Sequence, residues 1–173
     1  KDGTVRQLHA VVRDADKAHL IAQRTDEPNK MRAGQGLGAV YRTTLLAKIV
    51  NLLVVKASLF DPFGIGLEME SEKPGWCDAL NGLPGLFGSS THEAFALKRW
   101  LAFARGAVEQ HLGPAGALAL PAEVAAFMRS LSSALAKADL DDFFATWQQL
   151  ATLREAFRAL VRRGMTYQGV AAA

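Results

Sequence analysis

Residues 43–60 carry Leu45, Leu46, Ile49, Val50, Leu52, Leu53, Val54 and Val55, apolar side chains that fall on every face of a helical wheel. A helix of that kind must be buried on most of its sides. Its β-branched residues would also suit a central strand, and the length of the run decides for a helix. Asp61-Pro62-Phe63-Gly64 ends it, because proline disfavours helical geometry in the residue before it. Ser90-Thr91-His92-Glu93 then reads as a capping box, a serine at the cap and a glutamate three residues on. The helix it opens runs to about residue 111, with Phe95, Trp100, Leu101, Phe103, Ala104 and Val108 on its apolar side, and Gly113-Pro114 stops it. Pro121 starts a further helix, with Val124, Phe127, Met128, Leu131 and Leu135 at intervals of three and four. The last, over 139–163, carries Leu140, Phe143, Phe144, Trp147, Leu150, Leu153, Phe157, Leu160 and Val161 on one stripe, with Gly164 as its C-cap.

The N-terminal quarter is weakly patterned. Residues 14–24 predict a short helix, and Thr25-Asp26-Glu27-Pro28-Asn29 is a breaker cluster. The AGQGLG run at 33–38 has glycines at 34, 36 and 38, but no strand precedes it and no Gly-Lys-Ser/Thr follows. It reads as a flexible turn rather than a phosphate loop. The expectation is one all-α domain over residues 1–173, with helices near 43–60, 91–111, 121–137 and 139–163. Its one elaborate connection is 61–90.

That connection, of about 30 residues, is far longer than the usual 4 to 6, and such loops are functional or disordered. Met69, Trp76, Leu80, Leu83, Leu86 and Phe87 are too apolar to stay solvated, so the loop is expected to pack and hold its polar residues in place. Alternation over 65–69 predicts a short extended segment that puts Glu68 and Glu70 on one face. Asp78 lies two residues beyond Trp76, in a turn bounded by Pro74-Gly75 and Asn81-Gly82. A carboxyl beside an indole and away from water is pushed toward its protonated form, which is what a general acid needs at neutral pH. A turn cap beside a core tryptophan is the other role open to the pair.

Composition narrows the class without choosing a function. Of 173 residues, 50% are hydrophobic and 21% charged, which is ordinary for a globular domain. The net charge of +3 and isoelectric point near 9.2 come from scattered cations. The densest group, Arg158, Arg162 and Arg163, sits at a helix end, where it opposes the helix dipole, so no nucleic-acid partner is expected. The one cysteine, Cys77, excludes an internal disulfide and fits a reducing compartment, the cytoplasm. Lys48, Asn51 and Lys56 break the most apolar run, so no membrane span is expected. His9, His19, His111 and Cys77 lack ligand spacing, and no metal is expected. The opening KDGTV and closing GVAAA read as cuts from a longer polypeptide.

Trp76-Cys77-Asp78-Ala79-Leu80-Asn81 resembles the Trp-Asn-Asp-x-x-Asn loop of cellobiose-phosphorylase-like enzymes, and the continuation NGLPGLFGSS before a helix is similar to large bacterial proteins of that group. The similarity spans about residues 60–105, with Cys77 in place of the family's Asn and Gly75 where an acidic residue often stands. These are inverting glycoside phosphorylases with an (α/α)6-barrel catalytic domain. The resemblance implies that this chain is a segment of such a barrel, with 43–60 as an inner helix and 61–90 as an active-site loop. Asp78 is then the general acid that protonates the glycosidic oxygen. Inorganic phosphate is the co-substrate, and a di- or oligosaccharide the substrate.

In that setting Trp76 stacks on a sugar face or packs in the core. Glu68 and Glu70, Glu70 above all, hydrogen-bond sugar hydroxyls or form a solvated edge, with Asn81 beside them. Ser89, Ser90, Thr91 and His92, at a helix N-terminus, meet phosphate or only cap the helix. Two other readings stand beside this one. An inverting hydrolase of the same barrel class (glucoamylase- or trehalase-like) needs a second carboxylate about 6.5–9.5 Å from the acid. A non-catalytic helical interaction domain explains the amphipathic helices and leaves the loop unexplained. A partial barrel is expected to expose an apolar face and to associate, with the rest of a parent polypeptide or with itself as a homo-oligomer.

Overall fold

A computed structural model describes residues 13–68, 89–113, 117–166 and 170–172. Its framework is helical: α1 (Ala15–Ala22), α2 (Leu45–Ala57), α3 (Thr91–Leu112), α4 (Ala122–Ala136) and α5 (Phe144–Val161). Two short antiparallel pairs tie the framework together: β1 (Leu67–Glu68) with β2 (Ser89–Ser90), and β3 (Ala119–Pro121) with β4 (Val170–Ala172). The all-α expectation holds among the described residues, none of whose helices is long and apolar enough to cross a membrane.

The helix ends follow local chemistry. Thr44 caps α2 by accepting the Ala47 N–H at 3.2 Å. Ser90 caps α3 by accepting the Glu93 N–H at 3.1 Å. Glu93 does not complete the capping box; its carboxylate meets Lys56 Nζ at 2.7 Å and so pins the start of α3 to the end of α2. Gly113, at φ 68°, closes α3 in a conformation open chiefly to glycine. The last helix starts at Phe144, five residues later than the pattern predicts. Asp139 and Asp142 accept the N–H groups of Asp141 and Phe144, and aspartates that bind the backbone two residues on favour turns over helix.

Helix α2 packs against both α3 and α4, and α4 packs against α5. The main core joins Leu53, Val54 and Ala57 of α2 to Leu97 and Ala104 of α3, Phe127 and Leu131 of α4, Phe143 just before α5 and Leu150 within it. Phe127 and Phe157 stack with ring centroids 4.5 Å apart. A smaller cluster sets Ala47 against Leu120, Val124 and Ala125. Glu123 ties in the chain beyond α5 by accepting the Thr166 N–H at 2.7 Å.

Two sequence expectations change here. Helix α2 is not buried all round: Leu45 is 75% exposed and Leu52 56%, so its core face is the narrower set of Ala47, Leu53, Val54 and Ala57. The apolar residues of α3 lie on two faces rather than one. Leu97 and Ala104 are buried and Leu101 lines an open groove beside them, while Phe95, Trp100 and Phe103 are exposed on the other side.

The 33–38 run is an ordered 3-10 turn rather than a flexible one. The Gln35 N–H donates to the Met165 carbonyl at 2.8 Å, and the Met165 N–H to the Arg32 carbonyl at 3.0 Å. Gly164 lies beyond the Arg162 cap of α5 and lets this contact close, since a Cβ on it would come 2.8 Å from the Gly36 nitrogen. The arginines at the end of α5 do more than oppose its dipole. Arg162 and Arg163 bind Asp14 and Asp16 at the start of α1.

The Arg162 guanidinium, and after it the Lys17 N–H, hold the Asp14 carboxyl at about 2 rather than the ordinary 3.8. A carboxyl whose pKa is depressed by folding adds stability above its unfolded value and loses it as pH falls through the folded one. The stability difference between the wild type and Asp14→Asn should therefore be present at pH 5 and vanish toward pH 2, as urea unfolding at each pH would measure. Added salt should shrink it, because the pair is exposed.

Candidate functional site at the base of residues 69–88

The first anchor of this site is Asp61, at the turn after α2. The side chain is buried, and its Oδ1 accepts the N–H groups of Phe63 and Ile65, both at 3.0 Å. Its Oδ2 accepts the Gly66 N–H at 3.0 Å and the Ser89 hydroxyl. An aspartate followed by Pro-Phe-Gly is a turn former that gathers backbone donors in this way. Gly66 leaves room for the arrangement, since a Cβ there would fall on the Ser89 oxygen.

The second anchor is Glu68. Its backbone N–H donates to the Leu59 carbonyl at 2.6 Å. Its carboxylate accepts the Trp147 indole N–H at 2.7 Å and faces Arg154 Nη2 at 3.4 Å. Arg154 in turn donates through Nη1 to the Ser58 carbonyl at 2.5 Å. The side chains of Arg154 and Glu68 are only 7% and 9% exposed. A charge taken out of water is tolerated when a partner and hydrogen bonds replace its hydration, and here the carboxylate and guanidinium supply each other.

Together the anchors hold Glu68 opposite Ser89 and Leu67 opposite Ser90 in antiparallel register. The segment 69–88 therefore leaves and rejoins the framework at one place, directly beyond the end of α2. Of the anion-binding candidates, Ser89 gives its hydroxyl to Asp61 and Ser90 caps α3, while Thr91 and His92 are exposed in the first turn of that helix. Asp78, Trp76, Glu70 and Asn81 lie outside the described residues. Among the described residues no group of three His, Cys, Asp or Glu side chains could hold a metal ion.

Sequence reasoning did not single out Asp61 as an anchor, nor Arg154. For Asp61 the signal was present in the Asp-Pro-x-Gly turn. For Arg154 it lay in a cation set between Leu150, Leu153 and Phe157 on the apolar stripe, a position that calls for a buried partner.

A second feature lies along the framework. An open groove of about 910 Å³ runs between α2, α3 and α4, lined mainly by apolar side chains including Val50, Val54, Leu101, Val108, Met128 and Leu135. Its charged rim is the Arg105–Glu109 pair, at 3.2 Å. In comparisons with known proteins, no family model, no curated protein and no solved structure matches this chain.

Proposed function

We propose that the chain is a segment of an (α/α)6-barrel enzyme that cleaves a glycosidic bond of a di- or oligosaccharide by inverting phosphorolysis. Asp78 is the general acid: it gives its proton to the leaving glycosidic oxygen while inorganic phosphate attacks the anomeric carbon from the opposite face. Phosphate takes the place of a base-activated water, so one carboxyl suffices. Glu70, Trp76 and Asn81 face the sugar in this reading, and Glu68 acts through the base that holds the loop.

One observation carries the proposal beyond the resemblance at 76–81. The segment bearing those residues is closed at its base by a buried carboxylate and a buried ion pair, a costly arrangement for a mere connection between two helices. The open groove supports the segment reading, because a barrel wall needs further helices against its apolar sides. A non-catalytic interaction module is the second reading, favoured by the exposed aromatic side chains of α3.

The test is to incubate a polypeptide that joins this chain to the rest of such a barrel with disaccharides, with and without inorganic phosphate. Phosphate-dependent release of a sugar 1-phosphate of inverted configuration is expected. Release of free sugars alone would turn the reading to hydrolysis, and absence of any cleavage would turn it to an interaction module. The 173-residue chain alone is expected to be inactive.

A further inference from the structure

Helix α3 spans 22 residues and buries only Leu97 and Ala104. At 100° per residue, its core-facing stripe is Leu97, Leu101, Ala104 and Val108. The opposite face carries Phe95, Arg99, Phe103, Gly106 and Gln110, with Trp100 on its shoulder. A surface helix ordinarily presents polar side chains there. Instead Phe95 is 68% exposed, Trp100 52% and Phe103 57%, and the last two rings meet edge to face at 5.5 Å. The three rings leave on the order of 300–400 Å² of apolar surface in water, the size of patch that on monomers is often functional.

Gly106 is the second observation, independent of the rings. Glycine in a helix interior is destabilising relative to alanine. At Gly106 the fold gains nothing in return: a Cβ there would have nothing within 4 Å, and the backbone is helical. With Ala102 one turn earlier it forms a trough on the same face as the protruding rings. Knobs and trough on one helix face are self-complementary under a two-fold axis.

We infer that the outer face of α3 is a homodimer interface in which two α3 helices pack antiparallel. A two-fold axis crossing near Trp100 and Leu101 sets each Phe95 ring over the Gly106 trough of the second copy. The Glu109 end of one helix then lies level with His92 at the start of the other, and the two helix dipoles oppose one another. The rings alone bury about half of the roughly 800 Å² per partner of a standard interface, which fits a dimer of micromolar or weaker affinity. This inference does not rest on the enzymatic reading.

Sedimentation equilibrium of the full chain, from micromolar to sub-millimolar concentration, tests it. A monomer–dimer equilibrium is expected. Gly106→Leu should weaken it by at least about tenfold, because the added side chain fills the trough. Its circular dichroism and melting temperature should be unchanged or raised, because leucine has the higher helix propensity. Phe103→Glu should weaken the dimer to a similar extent while remaining folded. A dimer indifferent to both substitutions overturns the inference. So does a chain that stays monomeric throughout, whether its aromatic face is bare or is covered by other polypeptide in a longer chain.

Discussion

Arg154→Met is expected to destabilise the chain by about 3–5 kcal/mol, the loss typical when one member of a buried ion pair is removed. The methionine keeps most of the apolar stem in place, so packing is not the main term. What is lost is the cation 3.4 Å from the Glu68 carboxylate and the donor to the Ser58 carbonyl. Glu68 is then left with its charge nine-tenths buried and without that partner. Stabilities of whole domains are about 5–15 kcal/mol, so this one change consumes a large share. In a domain of this size the melting temperature should fall by roughly 10 °C or more.

The double variant Glu68→Gln/Arg154→Met should recover much of the loss, because the amide keeps an acceptor for the Trp147 N–H and carries no charge to desolvate. Urea unfolding of the two single variants and the double variant measures all three. A loss below about 1 kcal/mol for Arg154→Met would mean that the pair behaves as an exposed one and does not anchor the base of residues 69–88.

For the proposed enzyme, Asp78→Asn keeps the side-chain shape and removes the transferable proton. General acid catalysis typically contributes about 10²–10⁴-fold, so turnover should drop by that order while sugar affinity is nearly retained. A glycosyl fluoride, whose leaving group needs no proton, should show a much smaller loss, and that contrast separates a missing proton from a damaged loop. Cys77→Asn, toward the family pattern, should be tolerated. If Asp78→Asn left turnover on an ordinary disaccharide unchanged, Asp78 would be a turn cap and the phosphorolysis reading would lose its acid.

Where the sequence was legible, the rules were local. Ser90 before Thr91-His92-Glu93 marked the start of α3 because the capping donor and acceptor are three residues apart. The intervals of Val124, Phe127 and Leu131 marked the buried face of α4 because they share one side of a helix. At Asp139 local chemistry was present but misread. Aspartates that begin helices also close turns, and Asp139 and Asp142 did the second before α5 could begin.

The base of the loop was legible only in part. The extended segment containing Glu68 was foreseen from its alternation, and β1 is there, two residues long. Its partners were not. Trp147 and Arg154 stand 79 and 86 residues away in sequence from Glu68, and no spacing rule reaches that far.

The sequence by itself determined the helical segments, both ends of α3 and the place of the long connection, because each depends on groups within a turn or two of one another. Only the tertiary structure decided which of the two apolar stripes of α3 faces the core, how far α2 is buried, and where the charge of Arg154 goes. Periodicity states that a face is apolar. Which face is covered, and which buried charge finds its counterion, depends on surfaces brought together from distant parts of the chain, as when Arg154 reaches Ser58 across 96 residues.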